Sequence, residues 1–254
     1  MSDLLTHSDA GITTLTINRV EKKNSLTAAM YASLAMGLAQ AAQDPAQRVV
    51  VIQGHETVFS AGNDLADFLH QPPTGTDAPV FHFLQGIATF PKPVIAAVCG
   101  PAVGVGTTLL LHCDLVYAGD NAAFSMPFVN LGLCPEAASS LLVPRLMGHQ
   151  RACEALLMGE PFMAEAALEV GLVNRVLPPT EVNAFTQQQA RKLAAKPLKS
   201  LIETKRMLKS AHTAGVLARM QEEGEVFRRM LAEPAAQEAF GAFMEKRQPD
   251  FSKL

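Results

Sequence analysis

Apolar residues alternate with threonines through Ile12 to Asn18, ITTLTIN, and the β-branched content of that run predicts a strand. An alanine-rich stretch, roughly Thr27 to Gln43, has the spacing of a helix. Arg48 to Gly54, RVVVIQG, is a continuous apolar run ending at glycine and predicts a buried strand. Prolines and polar residues in QPPTGTDAP, Gln71 to Pro79, predict a mobile surface loop. A short helix then leads to the strand PVIAAVCG, Pro93 to Gly100. The chain continues through GPAVGVG into an apolar helix and the strand CDLVYAG. Beyond Ser139 the pattern turns mostly helical, with RVLP, Arg175 to Pro178, as the last strand. Apolar stripes from Glu181 to Lys246 predict helices packed on the main domain or on another subunit. The strand–helix–strand rhythm gives an α/β fold with covered sheet faces.

Bulk properties narrow the function. A chain of 254 residues is long enough for one large domain, or one domain with an appendage. A formal net charge of −3 offers no concentrated basic surface, so no nucleic-acid partner is expected. Cys99, Cys113, Cys134 and Cys153 show no C-x-x-C spacing and read as reduced thiols of a cytosol-like compartment. The N-terminus lacks the basic start and apolar core of a signal peptide, and no apolar run reaches membrane-spanning length. No membrane partner and a cytoplasmic location follow as expectations. In a eukaryote, Ser252-Lys253-Leu254 would read as a peroxisomal address. His7, His55, His70, His82, His149 and His212 form no metal spacing, and no metal is expected. His112, in an apolar helix, reads as structural, and Asp120 as a turn residue.

Chemistry concentrates at two glycine corners and one carboxylate. FSAGND, Phe59 to Asp64, and GPAVGVG, Gly100 to Gly106, fit neither the phosphate-loop nor the dinucleotide pattern. Glycine there could simply let a strand turn into a helix. Alternatively, two helix-start amides converging on one point would stabilise an oxyanion. In GLCPEAASS, Gly132 to Ser140, Glu136 stands among apolar residues. A carboxylate in such company is partnered or used. Proline followed by an acid also suits a plain helix start.

FSAGNDL, KPVIAAVCGPAVGVGTTLLLHCDLVYAGDNAAFSMP and GLVNRV together resemble the crotonase superfamily, the enoyl-CoA hydratase/isomerase family, over nearly the whole chain. The resemblance implies a crotonase α/β spiral of ββα units over residues 1–195. A C-terminal helical region, 196–254, would serve oligomerisation and complete the CoA site. It implies trimers or dimers of trimers, an acyl-CoA thioester as substrate, and no cofactor beyond the CoA that the substrate carries.

The resemblance also places the oxyanion amides on Ala61 and Val105, and a substrate cradle on Ser60, Ala61, Gly62, Asn63, Asp64 and Leu65. For Asp64, a helix cap is an equal reading. Lys22 and Lys23 correspond to the loop near the CoA phosphates. Phe243 and Lys246 correspond to residues reaching a neighbouring subunit's CoA. The two hydratase glutamates fall on Thr108 and Phe128, which instead would belong to the acyl pocket together with residues around Leu65 to Phe83. Without those carboxylates, hydration has no base. MPFVNLGLCPEAASS looks like the peroxisomal-type Δ3,Δ2-enoyl-CoA isomerases, in which this glutamate is the base, so Glu136 is expected to shuttle the proton. Two alternatives stay open. One is an isomerase of epoxide- or ring-derived CoA thioesters, and the other a CoA-ester-binding homologue without turnover.

Overall fold

The computed structural model describes residues 2–73, 75 and 77–252. β1 (Leu4–Asp9) and β2 (Ile12–Ile17) form an antiparallel hairpin, turned by Ala10 and Gly11 at positive φ (48° and 77°), as a tight hairpin turn requires. α1 (Ala28–Gln43) starts at Thr27, whose hydroxyl accepts the Met30 amide, and leads to β3 (Val49–Gln53). α2 (Leu65–His70), α3 (Pro79–Thr89), β4 (Val94–Val98) and β5 (Pro101–Val103) follow. After them come α4 (Val105–Thr108), β6 (Leu115–Gly119) and β7 (Ala123–Ser125). α5 (Ser139–Met147), α6 (His149–Cys153), β8 (Phe162–Met163), α7 (Ala164–Glu169) and β9 (Arg175–Leu177) continue the chain. It ends in α8 (Pro179–Ala194), α9 (Leu198–Leu231) and α10 (Pro234–Met244).

The main sheet has the order β1-β2-β3-β4-β6-β9 and is parallel throughout except at β1. Side chains alternate across it. Val50, Ile52, Ala96 and Val98 pack toward α1 and α3, meeting Leu34, Leu38, Phe83 and Ile87. Val49, Val51, Ile95 and Ala97 face α8, meeting Val182 and Ala190. Both faces are covered, which is why these strands read as unbroken apolar runs. Burying each Val or Ile contributes roughly 1.5–3 kcal/mol. A second sheet, β5-β7-β8, lies beside the glycine corner. α9 is fastened to the main sheet by Lys205, whose ammonium reaches Asp114 at 2.6 Å and the Lys92 carbonyl at 2.7 Å.

The helix expected after GPAVGVG is a single α turn continued by 3-10 geometry over Leu109–His112. β1 went unread in the sequence because only Leu4 of its residues is buried. Gln71 to Ala78 carries no strand or helix among its described residues, and Thr74 and Thr76 lie outside them. Among the described residues no helix is long and apolar enough to cross a membrane. Lys253 and Leu254, two of the three residues of the candidate peroxisomal address, also lie outside them.

Candidate active site

The first corner is assembled by backbone. Asn24, fully buried, donates to the Val58 and Phe59 carbonyls, and the Ser60 hydroxyl donates to the Asn24 carbonyl at 2.9 Å. Leu26 and Asp64 then bracket Gly62 and Asn63: the Leu26 amide donates to Gly62 and the Asp64 amide to Leu26. Val103 donates to the Ser60 carbonyl at 2.9 Å, so this corner runs against the second one. The approach is close enough that a Cβ on Gly62, at φ +87°, would meet the Val103 carbonyl oxygen at 2.8 Å. A Cβ on Gly106 would meet the Ser60 carbonyl oxygen at 2.9 Å. Glycine is needed at both places for contact, and at Gly62 for conformation as well.

This geometry corrects one expectation. The Ala61 amide donates to the Lys23 carbonyl at 2.9 Å, so it is spent and cannot hold an oxyanion. The Asn63 and Val105 amides have no partner among the described residues. Both residues line one cavity of about 230 Å³. Val105 opens α4, where a first-turn amide is free by construction. Two free amides lining one cavity are donors of the kind that stabilise a developing oxyanion.

Glu136 sits beneath a larger neighbouring cavity of about 570 Å³, walled by α3 and α9. The two cavities share Phe68 and Phe227, whose rings meet edge to face at 6.1 Å. Glu136 is 7% exposed, and its Oε1 has no hydrogen-bond partner among the described residues. Burial, and then the charge of Glu223, push its carboxyl up to about 8. The Tyr31 hydroxyl donates to Asn63 Oδ1, while burial and then Glu136 push its own ionisation well upward.

The loop carrying Glu136 is fixed from several sides. The Glu136 carbonyl accepts from the Ser139 amide (3.0 Å) and hydroxyl (2.6 Å). His112 Nε2 lies 2.8 Å from the Ala137 carbonyl, so that nitrogen carries the hydrogen and His112 is a structural pin. Ala137 and Ala138 lie at φ 60° and 56°, a conformation costing non-glycine residues about 1–2 kcal/mol each. A helix therefore does not begin at Pro135–Glu136; α5 begins only at Ser139.

The remaining candidates divide clearly. Gly62, Asn63, Leu65, Phe128 and Val105 line the smaller cavity, and so does Ala61 despite its spent amide. Phe243 lines that same cavity in its own chain, where α10 folds back over the site. Ser60 is fully buried, with its hydroxyl engaged by Asn24 and the Gly62 amide, so it braces the corner and lines neither cavity. Asp64 caps α2 through the Asp67 amide and pairs with Arg19 at 2.6 Å. Burial pushes Asp64 upward, but its bonds from Arg19, Asp67 and Ser25 outweigh that and leave it below the ordinary carboxylate range. Its bonds are those of a cap, and it lines neither cavity.

Thr108 is fully buried, its hydroxyl without a partner among the described residues, and it lines neither cavity; it belongs to the core behind α4. Lys22 and Lys23 are exposed beside the first corner, and Lys246 is exposed at the end of α10. The expected acyl wall, Leu65 to Phe83, contributes Phe68, Pro73, Val80 and Phe81 to the larger cavity. Sequence reasoning did not assign the opposite wall: Leu217, Met220, Gly224, Phe227 and Arg228 of α9, a stripe at helical spacing. Tyr31, Asn24 and Glu223 also went unassigned.

Residues 7–253 match the family model described as Enoyl-CoA hydratase/isomerase. The chain is 36% identical over 261 aligned residues to 1,2-epoxyphenylacetyl-CoA isomerase of Escherichia coli (strain K12), covering 99% of each. It is 35% identical to enoyl-CoA delta isomerase 2 of Rattus norvegicus, over 87% of this chain and 58% of that protein. Among solved structures, Pseudomonas aeruginosa OdaA superposes with a TM-score of 0.94 at 45% identity, covering 96% of this chain and 99% of that one.

Proposed function

The chain belongs to the enoyl-CoA hydratase/isomerase family, with its crotonase fold, and from that premise we propose an enzyme that moves the double bond of 3-enoyl-CoA thioesters to the 2-position. One observation carries the reading: Glu136, buried, is the one carboxyl among the described residues that line its cavity, and that cavity adjoins the one lined by the two free amides. The Glu136 carboxylate takes a proton from C2, and the C–H electrons move onto the thioester oxygen as an enolate. The Asn63 and Val105 amides hold that oxygen. The electrons then return through C2–C3 as C4 takes the proton from the Glu136 carboxyl. Atoms and charge balance without water or cofactor.

With threonine and phenylalanine at 108 and 128, the pair of glutamates that hydration would use is missing and Glu136 is left alone, which supports isomerisation over hydration. The test is an assay with cis- and trans-3-enoyl-CoA beside Glu136→Gln. The variant is expected to fall about 10²–10⁴-fold, with negligible hydration by either protein. Full isomerase rate in the variant removes Glu136 from the chemistry. The full-length match to 1,2-epoxyphenylacetyl-CoA isomerase favours a second reading, rearrangement of a ring-derived CoA thioester at the same carboxyl. Turnover of the epoxide with none of the 3-enoyl thioesters would select it.

A further inference from the structure

Glu223 stands beside Gly224 of the cavity wall, but its carboxylate turns away from the cavity and enters the turn that follows Glu136. Both of its oxygens accept: Oε2 from the Ala138 amide at 2.6 Å, Oε1 from the Ser140 amide at 3.0 Å and from the Ser140 hydroxyl. Burial pushes the Glu223 carboxyl upward, while its bonds from Ser140 and Ala138 and the charge of Arg219 draw it part of the way back; three donors and no donor duty fit the ionised form. The turn it grips is the one with two successive left-handed alanines, a conformation that alanines do not hold unaided. Glu223 is itself only 5% exposed, so a second carboxylate is kept out of water close behind the first.

We propose that Glu223 is the positioning residue of this site: from α9 it holds the 137–140 turn so that Glu136 is aimed into the cavity, and it keeps a negative charge buried beside the proton carrier. The proposal rests on the reading of Glu136 as the base. Only a carboxylate offers an acceptor oxygen to both the Ala138 and the Ser140 donors; an amide would set its NH2 against one of them, and neither an amide nor a hydroxyl adds charge. The other groups facing Glu136 do not neutralise it. Tyr31 from α1 stays protonated, and burial, above all, lowers His112 to about 4 and raises the Cys134 thiol to about 11. Arg219 of α9 reaches the Ser140 hydroxyl at 3.5 Å, and Arg228 lies over the Phe81 ring at 5.3 Å. Glu136 makes no ion pair among the described residues. Its proton is therefore held by burial first and by Glu223 second, which suits a carboxyl that must both accept and return a proton near neutral pH.

The experiment follows the ionisation of Glu136 directly, by carbon NMR of glutamate-labelled full-length protein with Glu136→Gln assigning the signal, alongside the pH dependence of kcat/KM. In Glu223→Gln the Glu136 midpoint is expected to fall by about one pH unit or more, with the activity limb moving in step. Glu223→Asp keeps the charge and shortens the arm. It is expected to hold the midpoint within about half a unit and lose about tenfold or more in kcat. Adding Ala138→Gly, which relieves the left-handed turn, is expected to restore much of that kcat. An unchanged midpoint in Glu223→Gln overturns the proposal, and so does full kcat in Glu223→Asp. The NMR midpoint needs no turnover. A shifted midpoint in a protein that isomerises no 3-enoyl thioester supports Glu223 and sinks the isomerase reading alone.

Discussion

Glu136 keeps its proton up to about pH 8 in the folded chain, against an ordinary value of 4.5, so the folded state binds more protons than the unfolded one between those limits. Stability contributed by the protonated form is complete below 4.5 and drains away as pH rises to about 8. His112 acts at the other end: lowered to about 4 from 6.5 by burial, it withdraws stability as pH falls below 6.5. Glu136→Gln removes the first effect and leaves the second. The variant is expected to match or slightly exceed the parent in Tm at pH 5, with its advantage widening up to about pH 8 and then levelling. An advantage independent of pH, measured by thermal denaturation across that range, would contradict the raised carboxyl. Activity and stability thus pull against each other at one side chain.

At the scale of elements, the two corners work because their backbones touch. Gly62→Ala would need to relieve a 2.8 Å contact with the Val103 carbonyl oxygen at a φ of +87°. It is expected to cost about 1–3 kcal/mol in urea denaturation and to weaken acyl-CoA binding, because the Asn63 amide moves with it. The existence of that corner was legible from FSAGND; which amide it leaves free was not. Ala61 is spent on Lys23, a pairing set by how residues 23–26 lie along 61–64, and no local pattern announces it. The long runs at β2, β3 and β4 and the helix α1 were legible because burial on a fixed face imposes a period. β1 is exposed from Leu5 onward, and β5, β7 and β8 are too short to show a period. The α9 stripe was visible as a stripe, but its partner was not. Glu223 and Ala138 are 85 positions apart, and only the fold brings them together.

For the whole molecule, the site is a joint product of the sheet-bearing part and the late helices. α9 supplies one cavity wall, and Lys205 fastens it to the sheet through Asp114, which also accepts the Val94 amide at 2.7 Å. Lys205→Met is expected to cost about 1–3 kcal/mol, less than a fully buried broken pair because Asp114 keeps some water and its Val94 bond. Catalysis should fall with it as the wall loosens; unchanged stability would mean that α9 is held by its apolar packing alone. The roof that α3 and α9 lay over Glu136 also bears on the hydrogen it carries. A carboxyl only 7% exposed trades its proton with the medium slowly compared with one in open water. Deuterium placed at C2 of a 3-enoyl thioester should therefore reappear at C4 of the product with little dilution by light water. The enzyme would leave an isotopic memory of where each hydrogen began.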